Sequence, residues 1–298
     1  MKIVFGTRGS ALALAQTQHI ITKCAAYVPE LEAEIKIIKT TGDQLSQAPL
    51  SEIGGLGAFT REIEQALQSG RIDVAVHSLK DLPIEQPDGL YIAAIAERQS
   101  PSDVLISRKG YSLESLKRGA LVGTSSLRRQ TQLLLVRPDL HIGELRGNVP
   151  TRIAAVREGR FDAVVLAQAG LARLGLDQEP GLYEIPTAQM LPAPAQGALA
   201  LEIRKDACDL ARHLTPLHDH TAAAEVYCER AVLNAFGGGC RSPLGTRARC
   251  VEGHLHVEAL AVDPETGRSV RLHNIGRIED ALTLGNELGA ALRARLRA

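Results

Sequence analysis

Several short segments of the chain gather residue types that hold oxyanions or move protons. Gly123-Thr124-Ser125-Ser126-Leu127-Arg128-Arg129 lies where an apolar run gives way to a helical pattern. Free N–H groups at a helix start, three hydroxyls and two guanidinium forks make a cradle for a carboxylate or phosphate. Arg146-Gly147-Asn148, Arg152 and Arg173 follow at further element ends. Open α/β sheets gather such ends along one edge, although each arginine taken singly also reads as a solvated surface residue. Gly6-Thr7-Arg8-Gly9-Ser10 repeats the strand-to-helix pattern near the start, where an ordinary helix cap beside an exposed arginine would look the same. One such turn in each half points to an anionic ligand gripped between domains.

Two segments carry reactive groups. His77-Ser78-Leu79-Lys80-Asp81 follows a buried-type strand and precedes Pro83. A carboxylate there can stabilise a cationic intermediate or shuttle protons, or simply bond the turn before the proline. Gly237-Gly238-Gly239-Cys240 puts a thiol on a flexible loop, as a nucleophile, an attachment point or a buried apolar residue. Cys24, Cys208, Cys228 and Cys250 take the last reading, and no Cys/His spacing suits a metal. His218, His220, His254, His256 and His273 read as loop and strand positions.

The elements that must position these groups follow a β-α-β-α rhythm, which implies α/β layers. Strands are predicted at 2–6, 35–39, 72–76 and 90–96, with helices at 10–26 and 60–67. The rhythm restarts with strands at 104–107, 121–123, 141–145 and 162–166 and helices at 126–136 and 151–158. From 221 the pattern changes to a helix, a hairpin over 255–272 and a final helix at 280–296, a small α+β domain. At 298 residues, against about 150 per domain, the expected division is 1–97 with a return segment 196–215, an arginine-rich 98–195, and 216–298. No internal repeat is visible.

Composition narrows the function. Aromatic residues are 3% with no Trp, which disfavours nucleic-acid binding by base stacking. Net charge is zero, yet residues 98–173 hold 13 Lys/Arg against 6 Asp/Glu, and local asymmetry of this kind reports on a charged ligand. Met1-Lys2 leads straight into a strand, and the uncharged stretch 185–201 is broken by Pro186, Pro192, Pro194 and Gly197. Neither leader nor membrane span is expected, so the chain reads as cytoplasmic with reduced thiols.

Six segments together resemble the porphobilinogen deaminase (hydroxymethylbilane synthase) family. They are Thr7–Gln16, Val76–Asp81, Val122–Gln130, Leu145–Asn148, Leu191–Gly197 and Gly238–Cys240, in family order from Ile3 to about Gly245. The resemblance implies two doubly wound α/β domains related to two-lobed anion-binding proteins, plus a small α+β domain carrying the cysteine. It implies that a dipyrromethane cofactor is attached by a thioether to Cys240 and held by Ser78, Lys80, Thr124, Ser125, Ser126, Arg128, Arg129, Arg146, Gly147 and Gln196. Asp81 matches the catalytic acid, and Arg8, Ser10, Gln16, Arg146, Arg152 and Arg173 match binders of acetate and propionate side chains.

The implied reaction adds four porphobilinogen units with loss of ammonia and releases a linear tetrapyrrole, in a monomer with no nucleic-acid or membrane partner. Each pyrrole brings two carboxylates, the natural complement of an interior arginine set. The loop Leu50–Arg61 departs from the pattern, since Glu52 and Leu56 stand where the family often has lysines. Its glycines suit a lid. A non-catalytic two-lobed binder of polycarboxylates and an RNA binder using the arginine block remain as alternatives.

Overall fold

The structure is a computed structural model that describes residues 1–44, 57–239 and 242–298. In chain order the first elements are β1 (Lys2–Thr7), α1 (Ala11–Tyr27), β2 (Glu32–Ile37), α2 (Thr41–Gln44), α3 (Arg61–Gln68), β3 (Val74–Ser78) and β4 (Leu90–Ile95). Then come β5 (Asp103–Ser107), β6 (Leu121–Gly123), α4 (Leu127–Val136), β7 (His141–Gly143), α5 (Val149–Arg157), β8 (Ala163–Ala167), α6 (Gln168–Arg173) and β9 (Leu182–Glu184). The remainder is β10 (Leu199–Arg204), α7 (Cys208–Leu214), α8 (His220–Phe236), β11 (Leu244–Val251), β12 (His254–Val262), β13 (Ser269–Arg277) and α9 (Ala281–Arg297). Two compact units result: residues 1–99 with 198–223, and residues 100–197 with 224–298.

In the first unit the sheet order is β2-β1-β3-β10-β4. β2, β1 and β3 run parallel, and β10 runs antiparallel to both its neighbours. One face buries Phe5, Val74, Val76, Leu199 and Leu201 with Ile20 of α1. The other buries Ala75 and Ile72 under Ile63, Ala66 and Leu67 of α3. The strands therefore read as unbroken apolar runs, as expected where both faces are covered. β2 is the exception, a mostly exposed edge, and with no apolar run to mark it the predicted 35–39 lies off the observed span.

The second unit holds a sheet ordered β7-β6-β8-β5-β9. β7, β6 and β8 are parallel, and β5 is antiparallel to β8 and β9. Matching β6 to β1, β7 to β2, β8 to β3, β5 to β10 and β9 to β4 superimposes the two topologies. This duplication has no counterpart in a sequence repeat. The same unit contains the antiparallel β11-β12-β13 sheet. Its inner face (Leu255, Val257, Ala259, Ala261) packs on Val232 of α8 and on Leu284, Leu288 and Leu292 of α9. β10 and β11 were not expected from sequence, and β13 runs past the predicted 272 to Arg277.

Candidate active site

In a parallel set of strands the carboxyl ends share one edge, so the turns that follow them are neighbours. In the first unit that edge bears the turns after β1, β2 and β3. Ser10 caps α1 by accepting from Ala13 N at 3.2 Å. Gln16, buried on the next turn of α1, donates to Ser78 Oγ at 2.9 Å, tying the first turn to the third. Arg8 donates from Nη2 to Asp43 Oδ1 at 2.5 Å, and its Cζ lies 4.3 Å from the Phe59 ring centroid. Burial opposes ionisation of Asp43, but the Arg8 guanidinium outweighs it and holds the carboxyl below its usual range.

After β3 a single 3-10 turn carries Leu79, Lys80 and Asp81. Leu79 is fully buried and its N–H donates to Ala198 O at 3.1 Å. The anchored leucine leaves Asp81 exposed, with no hydrogen bond or ion pair among the described residues. A carboxylate so placed is open to a ligand. Within this unit the structure brings together Arg8, Ser10, Gln16, Ser78, Lys80 and Asp81.

The matching edge of the second unit carries the arginines. Thr124, Ser125 and Ser126 bridge β6 to α4, and Ser125 Oγ donates to Leu145 O at 2.8 Å, joining this turn to the one after β7. There Gly147 takes φ +105 with its Cβ position against Thr151, a backbone shape that favours glycine. Asn148 caps α5 by accepting from Thr151 N at 3.0 Å. Arg152 Nε donates to Gly147 O at 2.8 Å, and Arg146 Nε pairs with Glu144 at 3.0 Å.

Asp103, which no motif in the sequence marks, organises this edge. It opens the antiparallel β5 opposite Ala167, at the end of β8, and is fully buried. Arg128 Nη1 reaches its Oδ2 at 2.7 Å, Arg129 Nη2 its Oδ1 at 2.7 Å, and Gln196 Nε2 its Oδ1 at 3.0 Å. Burial opposes the charge, but the two guanidinium groups outweigh it and hold Asp103 well below the usual carboxylate range. Arg128 and Arg129 are thus buried in a two-to-one ion triad that retains a net positive charge. A Ser-Pro-Ser segment turning abruptly into an acid-led apolar strand was the available signal.

Arg173 ends α6 and donates from Nη2 to Gly197 O at 2.6 Å. Its buried Nε has no partner, and burial pushes the guanidinium down to about 10 with no carboxylate to offset it. A desolvated guanidinium lacking a counter-charge is the complement of a ligand carboxylate. By this observation the residues present fit a polycarboxylate cofactor. Cys240 and the loop positions Glu52 and Leu56 lie outside the described residues. Among the described residues, no three His, Cys, Asp or Glu side chains gather as metal ligands, and no helix is long and apolar enough to cross a membrane.

Two family models match the chain in succession, with a boundary that differs from the one between the two compact units. Residues 3–212 match the family model described as "Porphobilinogen deaminase, dipyromethane cofactor binding domain", and residues 223–294 match "Porphobilinogen deaminase, C-terminal domain". A protein named porphobilinogen deaminase from Desulforudis audaxviator is 45% identical over 98% of this chain and 94% of its own length. Namesakes from Thermus thermophilus (46%, covering 96% and 93%) and Syntrophomonas wolfei (47%, covering 86% and 83%) are similar to the same extent. Among solved structures, the methionine-binding protein MetQ is 16% identical with a TM-score of 0.45, covering 76% of this chain and 93% of that one.

Proposed function

This chain belongs to the porphobilinogen deaminase family, and from that premise we propose that it joins four porphobilinogen molecules head to tail into the linear tetrapyrrole hydroxymethylbilane, releasing one ammonia per addition. The observation that carries the reading is the exposed, unbonded Asp81 carboxylate just after β3, next to Lys80 and close in sequence to Ser78, which Gln16 holds. Loss of ammonia leaves a pyrrole methylene carrying positive charge, and a fixed carboxylate stabilises such a charge as it develops. Asp81 also takes and returns protons at the reacting centre. Arg8, Ser10 and Gln16 hold the acetate and propionate groups of the incoming unit on this edge, as Arg146, Arg152 and Arg173 do on the edge of the second unit.

We assign the dipyrromethane to Cys240 through a thioether. When bound, it supplies the two-ring primer to which substrate is added. Ser78, Lys80, Thr124, Ser125, Ser126, Arg128, Arg129, Arg146, Gly147 and Gln196 would hold it. Arg128 and Arg129 contribute the residual positive charge left after Asp103 has fixed their orientation, a placement that costs no reorganisation when the ligand arrives. The functional division is 1–97 with 196–215, 98–195, and 216–298, in a cytoplasmic monomer serving tetrapyrrole and heme formation. The family match disfavours a non-catalytic polycarboxylate binder.

Intact mass under denaturing conditions tests this reading. The isolated protein should carry a two-pyrrole adduct, Cys240→Ser should lack it, and porphobilinogen should add further single-pyrrole steps. An unmodified mass together with no consumption of porphobilinogen would overturn the proposal.

A further inference from the structure

Three ionisable side chains of the first unit are buried together and unused by the chemistry above. Ala75, His77, Ala200 and Glu202 share one face of the sheet, since Ala75 pairs with Glu202 and His77 with Ala200 in the β3–β10 register. That is the face covered by α3, to which Glu64 belongs. Relative exposures are 7% for Glu64, 5% for His77 and 0% for Glu202. His77 Nε2 and Glu202 Oε2 are hydrogen-bonded at 3.1 Å, while Glu202 Oε1 is buried with no hydrogen-bond partner.

An apolar trio would fill this layer at less cost. A buried carboxyl oxygen left unbonded is expensive, and two buried carboxyls beside one imidazole cannot both be ionised without leaving an uncompensated charge. The chain keeps the arrangement one residue short of Ser78 and four short of Asp81, directly beneath the 3-10 turn.

We propose that His77, gripped by Glu202, is a positioning residue for the Ser78–Asp81 turn, and that Glu64 closes the buried layer beneath that turn. The inference rests on the functional reading above for the role of Asp81. The groups facing Glu64 are Thr60 and Arg61 on its own helix, His77 on β3 and Glu202 on β10. Burial first, and then the Glu202 charge, push Glu64 above its usual range against the opposite pull of Thr60, His77 and Arg61. Arg204 also follows on β10, but its guanidinium is committed to Leu67 O and Ile72 O. Raising the pH through the Glu64 ionisation puts a second negative charge into the layer, and the strand end bearing Asp81 loses its anchor.

Two arms test this on the full chain. In the first, amide hydrogen exchange is read at Leu79 and Leu82, whose N–H groups bond Ala198 O and Leu79 O. Glu202→Gln should speed it about tenfold without changing exchange in β12, and exchange equal to wild type overturns the inference. In the second, porphobilinogen turnover is followed between about pH 5 and 9. Glu202→Gln should lower kcat about tenfold at a KM within about twofold of wild type. Glu64→Gln, which fixes the neutral form, should flatten the alkaline fall in rate. Lost stability with kcat per folded molecule and the pH profile both unchanged makes the layer merely structural and overturns the inference. A wild type that ignores porphobilinogen sinks the functional reading instead, and the exchange arm still decides this one.

Discussion

Asp103 shows how one buried side chain can set the geometry of several exposed ones. Asp103→Asn keeps the shape but leaves Arg128 and Arg129 buried without a counter-charge, and breaking a buried ion pair costs about 3–5 kcal/mol. Urea unfolding should reveal that loss at pH 7. Because the carboxyl is depressed in the folded state, its contribution is present above the unfolded value near ~4 and disappears as pH falls through the folded one. Wild type and variant should therefore converge in stability only in strong acid. Asp81→Asn is the opposite kind of change. The side chain is exposed and unbonded, so thermal stability should stay within about 0.5 kcal/mol, while ammonia release falls about 10²- to 10⁴-fold. An active Asp81→Asn enzyme would remove Asp81 from the mechanism. The sequence made Arg8, Asp81 and Arg128 legible because each stands in a turn between elements of different period. It hid Asp103, Glu64 and Glu202, since each of these acids meets its partner only when an element 25 to 138 residues away comes alongside.

At the level of elements, legibility followed burial. Strands covered on both faces, such as β3 and β8, stand out as apolar runs, and α1 and α5 begin at caps readable as Ser10 and Asn148. β11 escaped because its inward residues are Leu244, Thr246, Ala248 and Cys250, mostly small, alternating with Arg247 and Arg249. The approach of α8 to α9 was equally hidden and has a sharp consequence. A Cβ on Gly285 would lie 2.3 Å from Cys228 O and 2.7 Å from Ala231 Cβ, and one on Gly289 would lie 2.4 Å from Val232 O. Replacing glycine by alanine within a helix ordinarily stabilises it by about 1 kcal/mol. Here the obstacle is backbone oxygen that cannot turn aside, and overpacking costs about 1–3 kcal/mol. Gly285→Ala should accordingly lower the urea midpoint with little change in KM, whereas an unchanged or higher midpoint would mean that the two helices separate freely.

Across the whole molecule, charge is distributed more tellingly than its zero sum suggests. Of the six acids in residues 98–173, five are paired with basic side chains of the same block: Asp103 with Arg128 and Arg129, Asp139 with Arg137, Glu144 with Arg146, Glu158 with Arg160 and Asp162 with Lys117. Within the block an excess of seven positive charges is left, of which Arg157 is met by Glu179 just outside it. Four added units and a two-ring primer would bring about a dozen carboxylates, more than that excess. Each addition should meet a less positive site than the one before, so later additions depend more on long-range attraction. Raising ionic strength from about 0.01 to 1 M shortens the screening length from about 30 to 3 Å. The KM for porphobilinogen should then rise several-fold, with kcat nearly constant, and adduct masses in quenched samples should shift toward the species with fewer added units. A KM indifferent to salt would mean that each carboxylate is bound in desolvated contact, and that the block's surplus charge plays no part in substrate capture.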